Sequence, residues 1–263
     1  KGLGNANKIL ARFLRSAQAQ YGISLAHFDG GNLRNAIARE ACAVITVPTH
    51  LKPELTADFE AYAALVKLEF ENTEPGLTLT VETIKTPAAV IDQTTQSRLL
   101  HALVAAPHGV LEWSTRMPGM VETSTNLASV KCPGNGLIIV TTSQRSEIDS
   151  RKKMAASMVE AVFELAGASV THSDGYPGWA PNPNSEILKV AVTSYRKLFS
   201  TEPIVRSIHA GLECGLFLEK YPNLDMISIG PTIKGAHSPG ERINIATTEK
   251  FWKHLVDILE NIR

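Results

Sequence analysis

In "KGLGNANKILARFL" the apolar residues Ile9, Leu10, Phe13 and Leu14 recur at helical spacing, so an amphipathic helix begins almost at once. Beyond it, two stretches share one plan. The first predicts a strand over 41–48, a helix over about 54–71 and an alternating strand over 77–83. The second predicts a strand over 136–142, a helix over about 147–166 and a strand over 168–172. An extra strand precedes each, in "ISLAHFDGG" and "TSTNLASVK". The recurrence points to a duplicated α+β unit with its helices on one face of an antiparallel sheet. A helix over about 92–106 links the halves.

The texture changes at residue 173. "SDGYPGWAPNPNSE" is dense in Gly, Pro, Asn and Asp and reads as a linker. A helix over 184–199, a strand in "PIVRSIHAG", a short helix in "LECGLFLEK", a strand in "DMISIG" and a final helix in "TTEKFWKHLVDILENI" follow. This alternation is that of a doubly wound α/β sheet. Two strands with three helices leave apolar faces uncovered, so residues 173–263 read as part of a domain. The overall class is α/β: an α+β domain over 1–172 and an α/β segment over 173–263. The abrupt start, with no methionine and no leader, also reads as a piece of a longer chain.

Composition narrows the function classes. Of 263 residues, 44% are hydrophobic and 20% charged, which suits a folded core. Lys+Arg and Asp+Glu are both 26, so the basic field of a nucleic-acid binder is missing. No apolar run approaches the ~18 residues of a membrane span. Cys42, Cys132 and Cys214 are far apart and odd in number, which argues against a disulfide framework and for a reducing cytoplasm.

A metal centre needs three or four converging ligands. The eight histidines form no HxH, HExxH or HxxxH pair. His101 and His254 sit in helices and read as packing or surface residues. His209 and His237 each follow a strand of the α/β segment, where open sheets bind ligands. Two histidines do not complete a site. Cys214 lies five residues from His209, but the bland reading is a small buried cysteine. Arg145, at a strand exit in "TTSQRSEIDS", suits bidentate binding of a carboxylate. Arg34 and Asn35 follow a Gly-Gly turn. Ser143 or Ser146 reads as a cap for the next helix.

Several stretches together carry a resemblance: "KGLGNANKILARFL", "GGNLRNAIARE", "VETSTNLASV", "GYPGWAPNPNS", "IHAGLECGLF" and "ISIGPTIKGAHSPGERI". The chain resembles the C-terminal half of the aminoacyl-histidine dipeptidase family. These are carnosine-cleaving Xaa-His dipeptidases of the aminoacylase and carboxypeptidase-like superfamily of co-catalytic zinc peptidases. The resemblance implies a lid domain over 1–172, inserted in a catalytic domain that resumes at 173–263. It implies two zinc ions, of which His237 would hold one, and a general base in the missing N-terminal half. The family's His-x-Asp, Asp and Glu-Glu ligand motifs are not in this sequence.

The resemblance also implies that Asn35 and Arg145 hold the substrate from the lid and that Gly211 lines its pocket, with His209 and Glu213 nearby. The expected substrate is a dipeptide with C-terminal histidine. The chain alone is expected to be inactive, and a homodimer is possible on this plan. The alternative is a stand-alone lid-type binding or dimerisation module without catalysis.

Overall fold

The computed structural model describes residues 2–173, 175, 177–179, 182, 184–206, 213–235 and 240–262. The chain divides into two compact units, residues 1–113 with 121–174, and residues 175–263 with the loop 114–120.

In the first unit the chain order is α1 (Ala6–Tyr21), β1 (Ser24–Gly30), β2 (Ala41–Thr46), α2 (Lys52–Glu69), α3 (Gln93–Ala105), β3 (Gly109–Trp113), β4 (Val121–Lys131), β5 (Ile139–Ser146) and α4 (Asp149–Leu165). A helix, an antiparallel strand pair and a second helix thus occur twice, as α1-β1-β2-α2 and as α3 to α4 with β3 added. α1 and α3 start where side chains satisfy free backbone N–H groups, whereas α2 and α4 have no side-chain cap. Asn5 accepts from the Lys8 N–H at 3.2 Å, and Asp92 accepts from the Thr95 N–H at 2.9 Å. The Thr95 hydroxyl and backbone N–H also hold the Asp92 carboxyl below its usual range.

The core lies between the helices and one face of the sheet. Phe13, Leu14, Leu25, Phe28, Leu100, Leu103, Leu127, Val130 and Phe163 are among its buried members. Phe13 meets Phe59 edge-on with ring centroids 5.0 Å apart, which fastens α1 to α2.

Every pairing in this sheet is antiparallel, and the strand order is β2-β1-β4-β3, with β5 also on β4. β4 is the shared strand. β5 runs along one of its edges from Thr123 to Lys131. The other edge is divided: β3 pairs with residues 121–125, and β1 reaches it at Val130 opposite Gly30.

Two strands expected here do not form ladders. Residues 77–83 and 168–172 are outside any strand. The alternation behind the first expectation is real, since Leu77 and Leu79 are half-buried and Thr78 and Thr80 exposed. Alternation reports which side chains face the core, whereas a ladder also needs a neighbouring backbone. β3 was not expected, because a five-residue strand beginning at a glycine after Pro107 carries little pattern.

In the second unit, α5 (Glu186–Phe199), α6 (Glu213–Lys220) and α7 (Ile245–Asn261) accompany a short hairpin of β6 (Ile233–Lys234) and β7 (Arg242–Ile243). Ser185 caps α5 by accepting from the Leu188 N–H at 3.0 Å. α5 and α7 pack through Tyr195, Phe199 and His254. His254 is buried and donates from Nε2 to the Ala191 carbonyl at 2.8 Å, so it is a packing histidine. Residues 203–206 and 225–230 form no ladder among the described residues, although extended strands were expected there. Their apolar residues include the exposed Ile204, Val205 and Ile229.

Candidate functional site

The expected site residues divide by position. Asn35 and Arg145 are described. His209, Gly211 and His237 lie outside the described residues, as does the side chain of Glu213, which opens α6. Among the described residues, no group of three or more His, Cys, Asp or Glu could hold a metal ion.

Asn35 lies in the exposed loop between β1 and β2. Gly31 allows that loop to cross β4. Its φ is +67°, and a Cβ there would stand 1.9 Å from the Ala128 carbonyl oxygen. No L side chain fits that approach. At the loop's base the Gly31 N–H donates to the Glu40 carbonyl at 3.1 Å, and the Ala6 N–H donates to the Ala38 carbonyl at 2.9 Å. At its tip Asn126 of β4 takes over. Its Nδ2 donates to the Ala36 carbonyl at 2.7 Å and to the Arg34 carbonyl at 3.2 Å. Asn126 therefore grips the residues on either side of Asn35.

Arg145 stands near the end of β5, directly opposite Ser124, and Asn126 stands opposite Ser143. Successive residues of a strand point to alternate faces, and cross-strand partners share a face. Ser124, Asn126, Ser143 and Arg145 thus belong to one face. Thr125, Leu127, Thr142 and Gln144 belong to the core face, where Gln144 donates to the Thr125 and Thr142 hydroxyls at 3.1 and 3.0 Å. The register therefore sets Arg145 on the same face as the residue that holds the Asn35 loop. Polar side chains populate this face, and a guanidinium there suits a carboxylate-bearing ligand.

The end of β5 is braced. The Thr123 and Ser146 hydroxyls are 2.8 Å apart, and Ser146 accepts from the Ile148 N–H at 3.1 Å just ahead of α4. The buried Glu122 is 3.2 Å from Arg151 of α4, and Glu112 is 3.5 Å from the same guanidinium.

One constellation was not visible in the sequence. In the gap on β4 between β3 and β1, the Leu127 carbonyl accepts from Asn5 Nδ2 at 2.8 Å, and the Leu127 N–H donates to His108 Nδ1 at 3.2 Å. Burial, and then the charge of Lys8, push the His108 pKa down to about 4. Lys8 itself donates to the carbonyls of Leu103, Val104 and Ala106 at the end of α3, at 2.9, 2.7 and 2.6 Å. Burial lowers its pKa as well.

Comparison with known proteins agrees with this architecture. Residues 1–74 match the peptidase dimerisation domain. The chain is 39% identical over 261 residues to the cytosol non-specific dipeptidase of Escherichia coli, covering 99% of this chain and 54% of that protein. The crystal structure of an aminoacylhistidine dipeptidase from Vibrio alginolyticus superposes with a TM-score of 0.91 at 41% identity, over 100% of this chain and 54% of that one. The chain is a homologue of these dipeptidases. It spans about half the length of each. Its mixed α/β class, with an antiparallel sheet under helices, is theirs as well. Among the described residues no helix is long and apolar enough to cross a membrane.

Proposed function

We propose that this chain is the substrate-covering and domain-completing part of a cytoplasmic, metal-dependent dipeptidase that hydrolyses dipeptides with a C-terminal histidine, carnosine among them. Residues 1–172 act as the lid, and residues 173–263 finish the catalytic domain. The observation that carries this reading is the shared sheet face on which Arg145 stands and to which Asn126 ties the Asn35 loop. Arg145 would fork the substrate's terminal carboxylate, and the Asn35 amide would bond its polar backbone. His209, Gly211 and Glu213 would line the pocket.

His237 would be one ligand of a two-zinc site. On the family plan, the remaining ligands and the general base would come from a catalytic half outside this chain. In that assembly His237 would help to hold a metal whose chemistry, when bound, would be Lewis-acid activation of water. The 263-residue chain alone is then inactive. The test is carnosine turnover by this chain with added zinc, measured beside the product of the complete reading frame. Turnover by the isolated chain overturns the division of labour proposed here. Failure of the complete product to cleave carnosine overturns the substrate assignment.

A second reading is a self-associating module without catalysis. The match of residues 1–74 to a dimerisation domain favours it, and β2 closes one side of the sheet, paired only with β1 among the described strands. A homodimeric dipeptidase unites the two readings. Sedimentation of the complete protein, with and without catalytic turnover, separates a dimeric enzyme from an inert dimer.

A further inference from the structure

We infer that Asn126 is a positioning residue for substrate binding: it fixes the height and direction of Asn35 relative to Arg145. The inference rests on the reading of Asn35 and Arg145 as substrate-holding residues. Three observations carry it.

First, Asn126 spends its amide nitrogen on both carbonyls that flank Asn35, at 2.7 and 3.2 Å. Two carbonyl acceptors require the nitrogen on that side, so the chemistry fixes the orientation of the amide. Second, that orientation leaves Asn126 Oδ1 buried without a hydrogen-bond partner. The amide is thus committed through its nitrogen to the Asn35 loop, at the cost of leaving its buried oxygen unpaired among the described residues. Third, Asn126 and Arg145 occupy adjacent cross-strand pairs on one face of the β4–β5 ladder, where the backbone spacing is rigid. Residues 33–35 are exposed and otherwise turn over on themselves, with the Ala36 N–H donating to the Leu33 carbonyl at 3.2 Å. Asn126 thereby converts a surface loop into an extension of the sheet that bears Arg145. Binding two ends of one small substrate needs such a fixed spacing.

The experiment is a double-mutant cycle in the complete protein, reading KM and kcat for carnosine with Asn35→Ala, Asn126→Ala and both changes together. Asn35→Ala and Asn126→Ala should each raise KM about tenfold, the scale of one lost hydrogen bond. The double variant should be no worse than Asn35→Ala, because Asn126 acts through Asn35. Asn126→Asp, of nearly the same shape, should give the same result and serves if the alanine variant does not fold. Amide exchange at residues 33–37 should rise in either Asn126 variant. An Asn126 effect that adds fully to that of Asn35→Ala, or an unchanged KM at Asn126 with a raised KM at Asn35, overturns the positioning role and leaves the reading of the site standing. Unchanged KM in both Asn35→Ala and Arg145→Lys overturns that reading and this inference with it.

Discussion

His108 accepts the Leu127 N–H through Nδ1, so the imidazole completes a backbone edge that no strand among the described residues covers. An acceptor nitrogen cannot carry a proton, and protonation would break the bond. Geometry and the depressed pKa of about 4 therefore agree on a neutral ring.

The first prediction follows from that ring. The folded pKa lies below the ordinary value of 6.5, so between these values the unfolded chain takes up a proton that the folded chain refuses. The stability is fully present above pH about 6.5, is lost as pH falls towards 4, and falls no further from this source below that. Discounted for partial exposure, the loss is on the order of 2 kcal/mol. Urea midpoints at several pH values measure it, with His108→Gln as the comparison whose amide oxygen accepts without titrating. A histidine NMR titration centred at the ordinary value would refute it.

Lys8 gives a linked prediction. Lys8→Met removes the cation that closes the end of α3 and should cost about 2 kcal/mol, the scale of charged hydrogen bonds. It also removes a charge that disfavours the imidazolium, so the His108 pKa should move upward. Chemical denaturation and the same NMR titration read the two effects separately.

Gly31→Ala should destabilise the first unit by about 2 kcal/mol or more. The methyl group would meet the Ala128 carbonyl, and the left-handed backbone adds strain. Thermal unfolding checks this, and Gly22→Ala is the control, since its added carbon meets nothing within 4 Å at a similar φ.

Leu100 is fully buried in α3 against the central core. Leu100→Ala should cost about 2–5 kcal/mol, from lost transfer energy and the cavity left behind. Urea denaturation at neutral pH measures it, and a cost under about 1 kcal/mol would mean that this part of the core is loosely packed.

Arg145→Lys in the complete protein should raise KM for carnosine about 10–100-fold, because an ammonium cannot fork a carboxylate. An amidated dipeptide, lacking that carboxylate, should lose the difference between the two enzymes. Steady-state kinetics on both substrates decide it.

α1 and α5 were legible because periodicity and caps coincide, whereas α2 and α4 were legible from periodicity alone. α1 begins after Asn5 and α5 after Ser185, each a polar residue placed before an apolar stripe. The shared face of Asn126 and Arg145 was half legible: the strand exit that carries Arg145 could be read, but its register against β4 could not. Register is a tertiary quantity, decided by β4 pairing with β5 and by the loop passing over Ala128. The His108 plug was not legible at all. Its partners, Asn5 and Leu127, stand 103 and 19 residues away, and nothing in "APHGVLEW" marks the histidine as an acceptor. The strand expected at 77–83 failed for the complementary reason, since side-chain alternation is local and ladder partners are not.

The divided edge of β4 bears on how the first unit folds. The described ladder between β1 and β4 is a single residue pair, Gly30 with Val130, whereas each strand pair within a repeat is bonded along its length. The seam between the repeats is otherwise made largely by side chains, with Asn5 at Leu127, Lys8 on the last carbonyls of α3 and the buried packing of α1 against α3. Contacts within each repeat are close in sequence and contacts across the seam are distant, so the loop-closure cost is lower within a repeat than across the seam. The join between the repeats thus rests on a small amide at position 5 and an ammonium at position 8 in place of a continuous ladder.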